Sequence, residues 1–297
     1  MNDHPGSAAF TLHHDPDLFR ASVSFTAGRT GFLPRLIEKD YFNSILLAYL
    51  NESNAGYLIF KGGTCLAKVY ADFYRLSEDL DFIIPTPVDC KKGERSKVAA
   101  PLKKAILDLP EKQSIFAIDQ PLTGHNESKQ YLATVVYESS LDRQPGRINM
   151  EIGLREPLFT DTIIGDVRTI LRNAANPDNT QPSFSFACLS FEEEMAEKFR
   201  AALTRREVAI RDFFDIDYAV QSKRLNPETA QFMNLVRKKI NIPGNDPPDF
   251  SDERLSRLTV QLNARLKPVL RTEDFNRFDL RRSIEIVKRI GQELSPG

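Results

Sequence analysis

The stretch from Tyr57 to Ile84 constrains the fold more than any other part of this 297-residue sequence. It begins with a short apolar run, breaks at the pair Gly62-Gly63, and continues as a predicted helix over residues 64–73. It ends in a second apolar run that contains Asp79-Leu80-Asp81. Successive side chains of a strand point to opposite faces, so the pattern predicts two aspartates on one face of a half-buried strand.

Two carboxylates on one strand face are costly to keep close unless a cation lies between them. Mg²⁺ is the cation that this arrangement favours, because it is commonly bound by one or two carboxylates together with substrate phosphates. The pair Gly62-Gly63 suits the other half of such a site, since glycine lets backbone N–H groups and a helix N-terminus approach a triphosphate closely. Phosphates on one side and a metal on the other indicate phosphoryl or nucleotidyl transfer.

Composition excludes several classes of protein. Hydrophobic residues at 41% and charged residues at 27% are typical of a globular protein. No apolar run approaches the roughly 18 residues that span a bilayer, and the N-terminus lacks the pattern of a secretion signal. We therefore expect a cytoplasmic protein without a membrane segment. Three scattered cysteines argue against disulfide frameworks and zinc sites, and a formal charge of -1 neither supports nor excludes nucleic-acid binding.

Three regions are expected along the chain. Residues 1–32 show no sustained period and are interpreted as an arm with flexible surface histidines at positions 4, 13 and 14. Residues 33–185 form the first domain, which begins with a helix over 33–50 whose polar side carries Glu38, Lys39 and Asp40. The Asn-, Pro- and Ser-rich segment 173–185 marks the boundary to a helical domain over 186–297.

Further strands are predicted in the first domain. A helix over 96–109 precedes strands near 114–118 and 131–137, which are joined by a turn with His125 exposed. Ile148-Asn149-Met150-Glu151-Ile152 alternates apolar and polar residues and predicts another strand. Glu151 then either faces solvent or supplies a third carboxylate to the site of the two aspartates.

The second half of the chain is predicted to be helical. Ser190 and Glu193 form a capping-box pattern for a helix that starts near Phe191 and carries Lys198 and Arg205 near one face. The next helix holds Arg211-Asp212-Phe213-Phe214-Asp215. Basic residues of the last helices either contact RNA or decorate a helical bundle: Arg281, Arg282, Lys288 and Arg289.

Taken in order, these motifs resemble a known family. Gly62-Gly63-Thr64 followed by Asp79-Leu80-Asp81 resembles the signature of the DNA polymerase β-like nucleotidyltransferase superfamily. With EEEMAEKFRAALTRREVAIRDFFDID included, the sequence resembles the AbiEii/AbiGii-type toxins over roughly residues 33–220. The resemblance implies an α/β (α+β) fold: a polymerase β-like nucleotidyltransferase domain with a mixed sheet, then a C-terminal helical domain that closes the cleft.

The resemblance also implies roles for the matching residues. Asp79 and Asp81 would hold Mg²⁺ or Mn²⁺, with Glu151 as a third ligand, and one of these carboxylates would help deprotonate the attacking hydroxyl. Lys198 would neutralise the leaving pyrophosphate, unless it only pairs with Glu194 along its helix.

Several of the remaining candidate site residues have more than one possible role. Gly62, Gly63 and Thr64 would bind the nucleotide, and Arg205 would add a phosphate contact. Asp215 would orient Lys198 or contact the nucleotide, whereas Arg211 and Asp212 can equally form a structural pair. Ser77 either binds phosphate, is itself modified, or is a plain turn serine. Lys61 either contacts phosphate or faces solvent.

The implied function is that of a toxin of a bacterial toxin–antitoxin system. It would use an NTP to modify an RNA, with the tRNA 3′ end as the acceptor carried over from relatives, and a cognate antitoxin would hold it in check. Two alternatives stay open from the sequence. One is nucleotidyl transfer to a protein or a small molecule, and the other is a non-catalytic nucleotide-binding interaction subunit.

Overall fold

The chain divides into two compact units. A computed structural model describes residues 6–53, 55–178 and 182–294. The first unit comprises Met1–Leu158 and Thr162–Leu189, and the second comprises Phe159–Asp161 and Ser190–Gly297. The predicted ranges 33–185 and 186–297 lie close to these units, and their assignment as functional domains stays a prediction.

Within the described residues, the first unit contains five α-helices, seven strands and two short 3-10 helices at Ser7–Ala9 and Leu12–His14. The helices are α1 (Pro16–Thr30), α2 (Pro34–Glu52), α3 (Gly62–Cys65, continued by a π-helical turn at Leu66–Tyr70), α4 (Lys92–Val98) and α5 (Ala100–Lys112). The strands are β1 (Ile59–Lys61), β2 (Leu80–Ile83), β3 (Phe116–His125), β4 (Gln130–Glu138), β5 (Pro145–Gly153), β6 (Ile163–Val167) and β7 (Phe184–Cys188).

All seven strands belong to one mixed sheet in the order β3-β4-β5-β2-β1-β7-β6. β2 pairs with β5 and β1 with β7 in parallel, while β1 and β2 are antiparallel. Leu80 and Phe82 of β2 and Ile84 directly after it are at most 2% exposed, as the alternation predicts, but Ile83 between them is also buried at 1%. The mixed α/β fold with a following helical region is therefore confirmed.

The beginning of the chain differs from the expected arm. Residues 16–30 form helix α1, which Asp15 caps through its side chain and Gly31 ends at φ 77°. Phe19 and Val23 are fully buried, and Phe19 contacts Tyr41 of α2 with 5.1 Å between ring centroids. The sequence hides this helix because part of its buried face is polar, with Ser22 and Thr26 both fully buried.

The two histidines before α1 also differ from the expectation of flexible surface residues. His13 is half-buried, and its Nδ1 lies 3.0 Å from the Tyr41 hydroxyl. Burial, with a smaller contribution from the charge of His14, lowers the pKa of His13 to about 4. His14 is exposed, and His4 lies outside the described residues.

Helix α2 buries charges that were expected on its polar side. Glu38 is 2% and Asp40 3% exposed. Asp40 binds the fully buried Lys68 at 2.6 Å, and its second oxygen accepts from the Thr169 hydroxyl at 2.7 Å. Burial of a charge is tolerated when it is paired and hydrogen-bonded, and no periodicity in the sequence shows such partners.

The expected single helix over 96–109 is two helices, α4 and α5. The division falls at Ala99, and Pro101 lies in the first turn of α5. Proline has no N–H to donate and is favoured at a helix start, so it begins a new helix here.

The second unit is helical within the described residues. Its helices are α6 (Phe191–Thr204), α7 (Ile210–Gln221), α8 (Ala230–Ile240), α9 (Asp252–Gln261), α10 (Thr272–Arg277) and α11 (Leu280–Leu294). The predicted start of α6 is confirmed, because the Ser190 hydroxyl accepts from the Glu193 amide at 3.1 Å. Among the described residues, no helix is both long and apolar enough to cross a membrane.

Candidate functional site

The two aspartates lie at the start of β2, in the middle of the sheet. Asp79 directly precedes the strand, and Asp81 within it is the register partner of Glu151 on the parallel strand β5. Both aspartates are half-buried and Glu151 is exposed. Residues in register on neighbouring strands share a face, so the sheet brings the three predicted carboxylates to one face.

The glycine pair lies against the aspartates. Gly62 has φ +82°, and a Cβ placed on it would lie 2.4 Å from Oδ2 of Asp81. The Thr64 hydroxyl donates to the carbonyl oxygen of Asp79 at 2.5 Å, and Thr64 is 1% exposed. Position 62 therefore requires glycine, because its φ is positive and because Asp81 occupies the space of a side chain. Thr64 fixes the backbone of Asp79.

Arg75 and Ser77 complete the surroundings of the second glycine. A Cβ on Gly63 would lie 2.3 Å from Nη2 of Arg75 and 3.0 Å from Oγ of Ser77. Arg75 is 1% exposed, so it brings a buried positive charge to the glycine pair. Lys61 is the register partner of Asp81 on the antiparallel strand β1 and shares its face.

Two amide side chains hold the carboxylates, and sequence reasoning missed both. Asn149 donates to Oδ1 of Asp79 at 3.0 Å, and Gln130 donates to Oε1 of Glu151 at 2.8 Å. Asn149 precedes Glu151 by two residues on β5, so the strand period places both on one face. That period was the available signal for Asn149, whereas Gln130 is brought in by the β4–β5 pairing.

Asp79 and Asp81 offer carboxylate oxygens of the kind that bind a magnesium ion. Within the described residues, no three His, Cys, Asp or Glu side chains are grouped closely enough to hold a metal ion by themselves. Mg²⁺ at nucleotide sites is commonly held by one or two carboxylates, and phosphate oxygens and water complete its shell. Asp79 and Asp81 fit such a site in donor chemistry, and Glu151 as a third ligand stays a prediction.

In the second unit, Lys198 lies between two carboxylates of α7. Its Nζ is 3.0 Å from Oδ1 of Asp212 and 2.9 Å from Oδ2 of Asp215. Both aspartates are at most 4% exposed, and the Lys198 side chain is 12% exposed. The helix thus presents one lysine whose position is fixed from two sides, which agrees with an orienting role for Asp215.

Arg205 joins the same cluster through Asp212. Its Nη1 is 3.3 Å from Oδ2 of Asp212, so that carboxylate bridges Arg205 and Lys198. Arg211 donates to the carbonyl oxygen of Arg265 at 3.4 Å.

The basic residues of α11 are largely paired with acids. Arg282 donates to both oxygens of Asp217 at 2.7 Å. Lys288 binds Asp252 at 2.5 Å, and Arg289 binds Glu228 at 2.7 Å. This pairing favours the interpretation that these residues decorate a helical bundle.

Comparison with known proteins gives one family match. The model of the family described as "Nucleotidyl transferase AbiEii toxin, Type IV TA system" matches residues 44–283. No curated protein matches the chain at a significant level.

Two solved structures from Helicobacter pylori are similar to the chain. JHP933 has 15% sequence identity and a TM-score of 0.45, with 88% of each chain covered. A putative nucleotidyltransferase has 15% identity and a TM-score of 0.45, and the match covers 88% of this chain and 90% of that chain.

Proposed function

Because the chain belongs to the family of AbiEii nucleotidyltransferase toxins of type IV toxin–antitoxin systems, we propose that it transfers a nucleoside monophosphate from an NTP to RNA. The proposed acceptor is the tRNA 3′ end, whose modification would block translation in the cytoplasm. Family membership makes the chain a nucleotidyltransferase toxin and implies an antitoxin partner. The single observation that supports the site is the packing of Gly62 directly against Asp81.

The first unit supplies the proposed nucleotide and metal site. Asp79 and Asp81, with Glu151, would hold Mg²⁺ or Mn²⁺, which when bound neutralises charge on the triphosphate. Gly62 and Gly63 present backbone without side chains, so phosphate oxygens can approach their N–H groups closely.

Three further residues of the first unit support this site. Thr64 holds the backbone of Asp79, and Arg75 and Ser77 lie beside Gly63. Arg75 adds positive charge next to the proposed phosphates, and Ser77 adds a hydroxyl that can donate to them.

The proposed reaction is an in-line displacement at the α-phosphorus. The hydroxyl oxygen of the RNA acceptor forms a bond to this phosphorus, and the bond to the bridging oxygen of the β-phosphate breaks. Pyrophosphate leaves with that bonding pair, and the hydroxyl proton passes to a carboxylate of Asp79, Asp81 or Glu151. Preorganised charges that match charge developing in the transition state give such sites much of their rate enhancement.

We propose that Lys198 stabilises the leaving pyrophosphate. Its ammonium is held between Asp212 and Asp215, at 3.0 and 2.9 Å, so its direction is set before a substrate binds. Arg205, directly after the C-terminal end of α6, would add a phosphate contact, and Asp215 acts as the positioning residue for the lysine.

The test is to sequence RNA 3′ ends after purified protein is incubated with total RNA and each NTP separately. We expect added nucleotides on tRNA 3′ ends with wild-type protein in the presence of Mg²⁺ and none with Asp79→Ala. On expression in bacteria, the wild type should arrest growth and Asp79→Ala should not. Equal toxicity of the two proteins would contradict the proposal.

The same assay separates the alternatives. With an NTP labelled at the α-phosphate, RNase treatment should remove the label from the macromolecular fraction if RNA is the acceptor. Label that survives RNase and is lost on protease treatment would identify a protein acceptor. NTP binding without any product would identify a non-catalytic subunit.

A further inference from the structure

A cavity of about 500 Å³ lies within the second unit, apart from the Lys198 cluster. Its walls come from the segment at Phe159–Thr160, the N-terminal end of α6, the length of α8 as far as Lys238, and the connection between α7 and α8. Pockets of about 300–1,000 Å³ with an apolar lining and a few polar groups are typical of small-ligand sites. No residue of the cavity has a role in the reaction described above.

The cavity combines an apolar floor with a polar rim. Phe232, Leu235 and Leu225 supply the apolar part and are at most 9% exposed. Side-chain amides at the exposed rim can donate and accept hydrogen bonds: Asn226, Gln231 and Asn234. A flat heterocycle with polar edges suits this lining, because its faces are apolar and its edge needs donors and acceptors.

Charge at the rim favours an anion. Two exposed cations, Arg224 and Lys238, and one carboxylate, Glu192, line the cavity. Arginine and lysine are the side chains that bind phosphate, the first in a bidentate manner and the second as a point charge. The cavity therefore presents partners for a base and for a phosphate together.

A buried ion pair fixes the wall formed by Phe159 and Thr160. The Glu193 carboxylate accepts from the amide of Phe159 at 3.1 Å and from that of Thr160 at 2.7 Å. Lys239 binds Glu193 at 2.8 Å, and both side chains are fully buried. Because burying an ion pair costs desolvation free energy, the pair need not stabilise the fold. Its structural effect is that Glu193 holds the backbone of Phe159 and Thr160 in place as a wall of the cavity.

We propose that this cavity binds an unpaired nucleotide of the RNA acceptor. The base would lie against Phe232 and Leu235 with its edge on the amides of the rim, and Arg224 and Lys238 would bind its phosphate. Sequence-selective proteins read single-stranded RNA in this way, by contacts to unstacked bases and to the backbone. The inference rests on the proposed function, because it takes the acceptor to be RNA.

The test is the binding of a labelled single-stranded RNA oligonucleotide, measured by fluorescence anisotropy without NTP in an Asp79→Ala background. Arg224→Glu and Lys238→Glu should each raise the Kd by about tenfold or more, because a phosphate then meets a carboxylate. Lys223→Glu and Arg237→Glu are the matched controls. They are exposed neighbours in the chain that do not line the cavity, and their Kd should stay within about twofold of the parent.

Two results would overturn the inference. One is an equal effect of the lining variants and their controls, since general electrostatic attraction then explains binding. The other is a Kd for RNA that no cavity variant raises, together with binding of 5′-mononucleotides to the parent but not to Lys238→Glu. That result would assign the cavity to a free nucleotide. If wild-type protein labels RNA but the lining variants bind it normally, only the cavity assignment fails. If wild-type protein labels no RNA, the proposed function fails.

Discussion

Gly62 is the residue of the proposed site whose backbone conformation and packing both require glycine. Its φ of +82° and the 2.4 Å from its missing Cβ to Oδ2 of Asp81 are separate reasons for glycine at this position. The sequence predicts a glycine pair at a phosphate site, but it does not reveal that one glycine makes room for a carboxylate. That contact depends on the β1–β2 pairing, which sequence pattern alone does not specify.

Gly62→Ala is expected to lower the free energy of unfolding by about 1–3 kcal/mol, because alanine is strained at positive φ and its Cβ displaces Asp81. Urea denaturation measures this change. Gly28→Ala is the control, since Gly28 lies in α1 with nothing within 4 Å of its added Cβ. That variant should be neutral or slightly more stable. Two variants of equal stability would contradict the described geometry.

Asn149 shows what the strand period reveals and what it does not. The alternation along β5 correctly predicts that Asn149 and Glu151 share the face opposite Met150. The hydrogen bond from Asn149 to Asp79 requires the parallel pairing of β2 with β5, which joins segments 70 residues apart. A hydrogen bond between side chains of segments so far apart in the chain carries no local signal.

Asn149→Ala is expected to reduce nucleotidyl transfer by about tenfold with little change in stability, because Asp79 loses the donor that orients its carboxylate. Steady-state rates with a labelled NTP measure the effect. Arg147→Ala is the control on the same strand face, where Arg147 pairs with Asp119 at the surface. Comparable losses in both variants would indicate a general perturbation of β5 instead.

At the scale of elements, the strongly alternating and strongly amphipathic segments were predictable. Strand β5 and the start of α6 follow the sequence pattern. Helix α1 does not, because Ser22 and Thr26 occupy buried positions that periodicity assigns to apolar residues. Their hydroxyls accept from the amides of Ala174 and Arg172 at 2.9 Å, so a distant loop supplies the partners.

The segment before α1 should make stability depend on pH. The pKa of His13 is about 4 in the folded protein and near 6.5 when unfolded, so the unfolded chain binds more protons between these values. The contribution of His13 to the free energy of unfolding is fully present above pH 6.5 and is lost as the pH falls towards 4. Urea unfolding should show a loss of about 1–2 kcal/mol between pH 7 and pH 5 that His13→Phe reduces.

The control for this prediction is His125→Gln. His125 is the last residue of β3, before the turn to β4, and is exposed as the sequence predicts, so its replacement should leave the pH dependence of the wild type unchanged. A His13→Phe variant with the full pH dependence would show that other groups cause it.

At the scale of the whole molecule, the sequence predicts the class of fold and the family better than it predicts contacts. The order of the motifs indicates an α/β domain followed by helices because each motif is local. The motifs are a glycine pair, a strand that carries two aspartates, and a helix that carries Lys198. The buried charges Asp40, Lys68 and Glu193 look like surface residues in the sequence. Their partners come from other elements, so only the folded chain shows that they are buried.

We propose as the central claim that Asp81 and Lys198 are both required for nucleotidyl transfer. The most direct test is the initial rate of α-phosphate label transfer to RNA by Asp81→Asn, Lys198→Met and the double variant. We expect each single change to lower the rate by about 100-fold or more, and the double variant to be little worse than the poorer single one, because groups that act together are strongly non-additive. Transfer by Lys198→Met at the wild-type rate would contradict the claim.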